Sequence, residues 1–231
     1  GMARFLDLAG KLNCGYYSCN FISTATGAAV FAPYKMITYG DTRVAYVGVS
    51  TPESFTKSTP AYFQDGAGNY IYSFCEDESG QSLYSQVQAS VDAARNEGAD
   101  YVIMVGHLGE TGVTDRWSAV NIIRNTTGIN VCIDGHSHET TPSMTAKNRD
   151  GQDVIITQTG TKLNNIGKLT IGTDGTIRTE LVSEVLAMDL ARDYVVRKND
   201  TLSRIAKREL GSYDRWIDIY NHNLDKLKNA D

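Results

Sequence analysis

Two hydrophobic periodicities alternate between Gln81 and Thr157, and they restrict the fold more than any other feature of the chain. Leu83, Val87, Val91 and Ala94 recur at helical spacing, and Gly98 follows where such a helix can stop. Immediately after it, residues 101–105 form a continuous apolar, β-branched run, the pattern of a strand buried on both faces of a sheet. The alternation then repeats. Trp117, Val120, Ile123 and Arg124 suit a second helix, residues 129–133 a second buried strand and 154–157 a third. Strand, helix and strand at this spacing predict an α/β arrangement.

The flanks add antiparallel pieces. Residues 36–39 and 43–49 are β-rich and separated by Gly40-Asp41, a hairpin turn pair, and residues 167–172 and 176–182 flank a second turn at Thr173-Asp174-Gly175. Residues 3–12 suit a short helix, 16–21 an extended segment, and 51–79 a long irregular excursion. The 231 residues are enough for one full domain and a smaller module. The 21 Gly and 13 Tyr speak against a helical bundle. The longest uninterrupted apolar run is 101–105, far below the ~20 residues of a membrane helix, so no membrane span is expected. A net charge of −5 disfavours a nucleic-acid polymer as partner, since phosphate binding needs a basic face. No signal-peptide pattern opens the chain. Cys14, Cys19, Cys75 and Cys132 form no CxxC pair and are expected to be buried or indifferent thiols.

Ligands of open α/β sheets collect beyond the carboxyl ends of the parallel strands. Three of the four histidines fall there: His107 in Gly106-His107-Leu108-Gly109, and His136 and His138 in Asp134-Gly135-His136-Ser137-His138. Histidines at i and i+2 of an extended segment point to one side, and small neighbours let the loop close around an ion. Neutral imidazole is a common ligand of transition metals. A lone strand-end histidine is more often a satisfied polar residue; the convergence of three favours metal ligation. His222 is expected at the surface.

With Gln158-Thr159-Gly160, Ile166-Gly167-Lys168-Leu169, Pro33-Tyr34-Lys35 and Val47-Gly48-Val49-Ser50-Thr51-Pro52 in the same order, these motifs resemble the second half of the calcineurin-like metallophosphoesterases, in their bacterial 5'-nucleotidase branch. The resemblance implies half of an α/β/β/α sandwich over residues 1–188. It also implies two divalent ions (Zn, Mn or Fe) about 3.5 Å apart and hydrolysis of nucleotides, cyclic nucleotides or other small phosphoesters by a metal-bound hydroxide. Carried over by motif, His107 and His136 would bind the second metal and His138 the first. Before Gly106 the chain has no Asp-x-His and no Asn-His-Asp/Glu, the latter holding the family's catalytic histidine; its only Gly-Asp, Gly40-Asp41, lies in the expected hairpin turn. The expectation is therefore an incomplete part, inactive alone, without the family's nucleotide-gripping domain. An alternative from the residues themselves is a mononuclear zinc held by all three histidines.

From Asp193 onward there are 8 Lys+Arg and 7 Asp+Glu, against 14 and 20 before it, which marks the tail as a separate module. Residues 194–202 (YVVRKNDTL), Ile205-Ala206 and Trp216, Ile219 and Tyr220 resemble a LysM module, a small α+β fold, over 193–231 without its last strand. A short strand, Asp200 as helix N-cap, Leu202, Ile205, Ala206 and Leu210 on one helix face, and a stop at Gly211 fit that reading. It implies binding of N-acetylglucosamine glycans such as peptidoglycan through Asp200 and Thr201, and an extracellular or wall-associated protein. The alternative function is a non-catalytic glycan-binding protein.

Overall fold

The computed structural model describes residues 1–110, 114–182 and 194–223, with the side chain of His222 left aside. The expected domain boundary between 188 and 193 and the surface placement of His222 fall outside the described residues. The chain forms two compact units, Gly1–Val185 and Leu186–Asp231.

In the first unit, helix α1 (Met2–Ala9) and the short strand β1 (Ile22–Ser23) precede a hairpin of β2 (Tyr34–Tyr39) and β3 (Thr42–Ser50), turned at Gly40 with φ 60°. There follow α2 (Ser54–Lys57), a 3-10 turn Pro60–Phe63, β4 (Tyr72–Ser73), α3 (Gln81–Asn96) and β5 (Tyr101–His107). Next come a 3-10 turn Asp115–Trp117, α4 (Ala119–Arg124), β6 (Val131–Asp134), β7 (Thr140–Lys147), β8 (Asp153–Thr159), β9 (Ile166–Ile171) and β10 (Ile177–Val182). The central sheet is six-stranded in the order β2-β3-β5-β6-β8-β7; β3, β5, β6 and β8 are parallel, and β2 and β7 are antiparallel edges. β9 and β10 form the expected hairpin as a separate two-stranded sheet beside β7 and β8.

This is the α/β arrangement that the alternating periodicities predict. Leu83, Val87 and Val91 of α3 and Ile122 and Ile123 of α4 are fully buried in one cluster with Val47, Val102, Met104, Cys132 and Ile156 of the sheet. Each such side chain contributes about 1.5–3 kcal/mol by leaving water.

Several details differ from the sequence expectation. β5 runs on through His107, and its apolar run is not covered on both faces, because Val105 remains 42% exposed. Trp117 lies in the 3-10 turn, since Ser118 caps α4 by accepting from the Asn121 amide. Pairing of the second buried strand starts at Val131 rather than 129. β7 lacks an apolar pattern in sequence because it is an edge, and its register shifts between Thr141 and Met144, around Pro142. The irregular excursion has its own core, in which Phe21, Phe55, Phe63 and Phe74 are buried together.

Segment 17–20 runs over β3. The Cys19 amide donates to the Gly48 carbonyl at 2.8 Å, and a Cβ on Gly48 would fall 2.2 Å from the Tyr17 carbonyl oxygen, so only glycine permits this approach. Asn20 is wholly buried and satisfied: its amide donates to the carbonyls of Ser50 (2.7 Å) and Phe74 (2.9 Å), and its oxygen accepts from the Ser50 amide. All four cysteines are unpaired; burial pushes the Cys19 thiol up to about 12 and the Cys75 thiol to about 11, which makes them poor nucleophiles.

The second unit contains α5 (Leu202–Leu210) and α6 (Trp216–His222), with Gly211 at φ 83° closing α5 as expected. The N-cap is Thr201, which accepts from the Arg204 amide; Asp200 instead accepts from the Tyr194 hydroxyl and the Arg197 amide and pairs with Arg208. No strand forms at 194–199, which pairs with no other strand among the described residues. Ile205 and Ala206 are buried, whereas Trp216 is 39% exposed and is not core.

Candidate metal centre

Parallel pairing aligns the ends of β3 and β5, with Ser50 opposite His107, and β6 ends alongside at Asp134. The two histidine motifs thus leave the same carboxyl edge of the sheet, as the sequence predicts. Their loops are bound to one another: the Leu108 amide donates to Asp134 Oδ1 at 3.0 Å and the Gly109 amide to the Gly135 carbonyl at 2.8 Å. A Cβ on Gly106 would lie 3.0 Å from Asp134 Oδ1 and 2.8 Å from the Leu108 side chain, so the loops close over a glycine. Burial pushes the Asp134 carboxyl up to about 6 against the opposing pull of the Gly135 and Leu108 amides, and nearby Glu110 adds to the rise.

His136 Nδ1 lies 3.2 Å from His107 Nε2, and His136 Nε2 lies 2.9 Å from Glu53 Oε2. The side chains of His136 and Glu53 are only 12% and 6% exposed. Burial pushes the Glu53 carboxyl up, but hydrogen bonds from His136 and Thr114 outweigh it and hold the group below its usual range. A carboxylate accepts hydrogen bonds, so in this contact Glu53 Oε2 is the acceptor and His136 Nε2 the donor. Burial, then the neighbouring His136 and His138, lower His107 below the ordinary imidazole range and favour its neutral form.

His138 does not join the pair. His136 and His138 have φ of 89° and 61°, so the loop is not extended and the expected one-sided projection of i and i+2 fails. His138 is exposed. Asp41 lies at the far end of β3 from Ser50, remote from the histidines.

Among the described residues no group of three or more His, Cys, Asp or Glu side chains is arranged to hold a metal ion. The three-histidine zinc site is thus not assembled. The imidazole pair itself fits neighbouring positions on one ion, because two bonds of about 2.0–2.1 Å at an angle near 100° place their nitrogens about 3.2 Å apart. His107 and His136 provide two such donors. A cleft of about 310 Å³ adjoins the pair, lined by Tyr17, Tyr46, Gly48, Ser50, Val105 and His107 among others. Glu110 and Asp134 are buried, and Glu110 Oε1 and Asp134 Oδ2 have no hydrogen-bond partner among the described residues.

Glu53 escapes sequence reasoning although it directly follows the Val47–Pro52 motif, because its role depends on a contact made 83 residues away. Glu110 likewise carries no local signal beyond its place three residues after His107.

No protein-family model and no curated protein matches the sequence. Solved structures share the fold. The sulfate thiohydrolase SoxB of Thermus thermophilus, in complex with glycerol, superposes with a TM-score of 0.62 at 20% identity, covering 99% of this chain and 36% of its own. A 5'-nucleotidase precursor from the same species gives 0.57 at 21% identity over 77% of this chain and 35% of its own. The Haemophilus influenzae NAD nucleotidase gives 0.54 at 16% identity over 96% and 48%. The chain spans less than half the length of each of these proteins.

Proposed function

We propose that this chain carries part of a metal-dependent phosphoesterase centre of the 5'-nucleotidase type, acting on nucleotides or other small phosphoesters. The observation that carries the reading is the pair of imidazole nitrogens 3.2 Å apart at the carboxyl edge of a sheet whose fold is shared with nucleotidases. A bound divalent ion (Zn, Mn or Fe) would polarise a phosphoryl oxygen and offset the negative charge that an acidic chain cannot. His107 Nε2 and His136 Nδ1 would hold it, as the resemblance implies for the second metal. His138 would turn to a first metal once other ligands are present. Asp134 binds the Leu108 amide and so holds the two loops together.

Two imidazoles make half of such a centre, so the chain by itself should be inactive. Titration with zinc or manganese, followed by the histidine ring signals and by hydrolysis of a chromogenic phosphomonoester, tests the reading. Metal-dependent shifts at His107 and His136 without turnover are expected. Turnover near that of intact enzymes would refute the incompleteness, and unperturbed histidine signals would refute the metal reading.

A second reading, glycan binding by the tail, draws on the α5–α6 pair and its left-handed Gly211. In it Asp200 and Thr201 face N-acetylglucosamine glycans such as peptidoglycan, and the protein works outside the cell or at the wall. The name of one fold relative, a 5'-nucleotidase precursor, is in keeping with export.

A further inference from the structure

We propose that Glu53 is a positioning residue for the imidazole pair: it fixes His136 in the tautomer that leaves Nδ1 unprotonated and turned to His107 Nε2. The inference rests on the reading that this pair is the working part of the centre, and it concerns a residue that acts on the pair without itself being a ligand.

A carboxylate only accepts hydrogen bonds, and Glu53 Oε2 stands 2.9 Å from His136 Nε2, with both side chains largely buried. The proton of a neutral His136 must then sit on Nε2, and its lone pair on Nδ1. With both rings neutral, His107 Nε2–H donates to that lone pair across 3.2 Å. An arriving ion would take the lone pair in place of the proton.

Glu53 is itself held from three directions. Its amide donates to Thr51 Oγ1 at 3.2 Å, and the Thr51 amide donates to the His107 carbonyl at 3.0 Å. Thr114 hydrogen-bonds the carboxylate from another loop. On the C-terminal side, Phe55 of α2 packs edge-on against Phe63 and Phe74, with ring centroids 5.0 and 5.1 Å away. A stretch of three residues that starts on the backbone of His107 therefore ends on the ring of His136. The spacing of the two imidazoles is set by this strut, and the phenyl cluster of the irregular excursion is its footing. Carboxylates that orient a ligand imidazole in this way fix its tautomer and raise its basicity.

The test reads tautomers directly, by two-bond 1H–15N correlation of the histidine rings at about pH 8, above the ordinary imidazole range. It uses the whole chain, Glu53→Gln and Glu53→Ala, each with and without zinc. In the unaltered chain His136 should show a protonated Nε2 and a bare Nδ1. Glu53→Gln should retain that pattern, because the amide oxygen still accepts. Glu53→Ala should mix the tautomers and lose about 10- to 100-fold in zinc affinity. A protonated Nδ1 on His136 in the unaltered chain overturns the inference and needs no variant to fold. An unchanged tautomer and zinc affinity in Glu53→Ala overturn it too, while leaving the metal reading intact. Tautomers that follow Glu53 in a chain binding no zinc support the inference and overturn the metal reading alone.

Discussion

Asn20 shows how a single polar side chain holds the candidate centre from beneath. It ties segment 17–20, the end of β3 and Phe74 together through three hydrogen bonds, all buried or nearly so. Asn20→Ala leaves two carbonyls and an amide without partners, and each buried orphan costs about 1–3 kcal/mol. Chemical denaturation should show at least that loss, with the His107 and His136 signals broadened because Ser50 directly precedes the strut that runs from Thr51 to Glu53. At this scale the sequence is partly legible. His107 and His136 can be found because strand ends and histidines are both visible in one dimension. The separation of His138 from that pair cannot, since it goes with left-handed backbone at two non-glycine positions that no spacing rule anticipates. Glu53 is hidden for another reason, its partner being distant in the chain.

Among the elements, α3 has the clearest sequence signal and also a device outside its own span. Asp77, ahead of the helix, accepts from the amides of Ser79, Gly80 and Ser82, and thus satisfies donors that the first turn leaves open. Hydrogen bonds from Ser82 and Ser79 hold its carboxyl well below the usual carboxylate range. A carboxyl whose folded-state value is depressed stabilises the fold above its unfolded value and ceases to do so as pH falls through the folded one. Asp77→Ala should therefore cost about 1 kcal/mol at neutral pH. Against the unaltered chain, that difference should shrink below about pH 4, and thermal melts at neutral and acid pH measure it. Helices and central strands are readable from periodicity because burial on one side or both imposes it. β7 is not, as an edge strand alternates polar groups over most of its length and its Pro142 bulge breaks the register.

At the scale of the whole molecule, the charge balance changes after residue 192, and the chain divides into two compact units at 185/186. The chemistry of the tail tempers the glycan reading. Asp200 is occupied by Tyr194, Arg197 and Arg208, and Thr201 by the Arg204 amide, so a sugar would have to displace internal partners. Cosedimentation with purified peptidoglycan should give weak retention; saturable micromolar binding would contradict that expectation, and no retention would remove the glycan reading. The central sheet has a consequence of a different kind. Its β7 edge carries a proline and a register shift and has β10 beside it, whereas β2 closes the other side as a regular run with Ile37 and Tyr39 exposed. A strand offered by another chain can continue the ladder only where amides and carbonyls stand in unbroken succession. The sheet can thus grow in one direction, past β2, and β7 acts as its terminus.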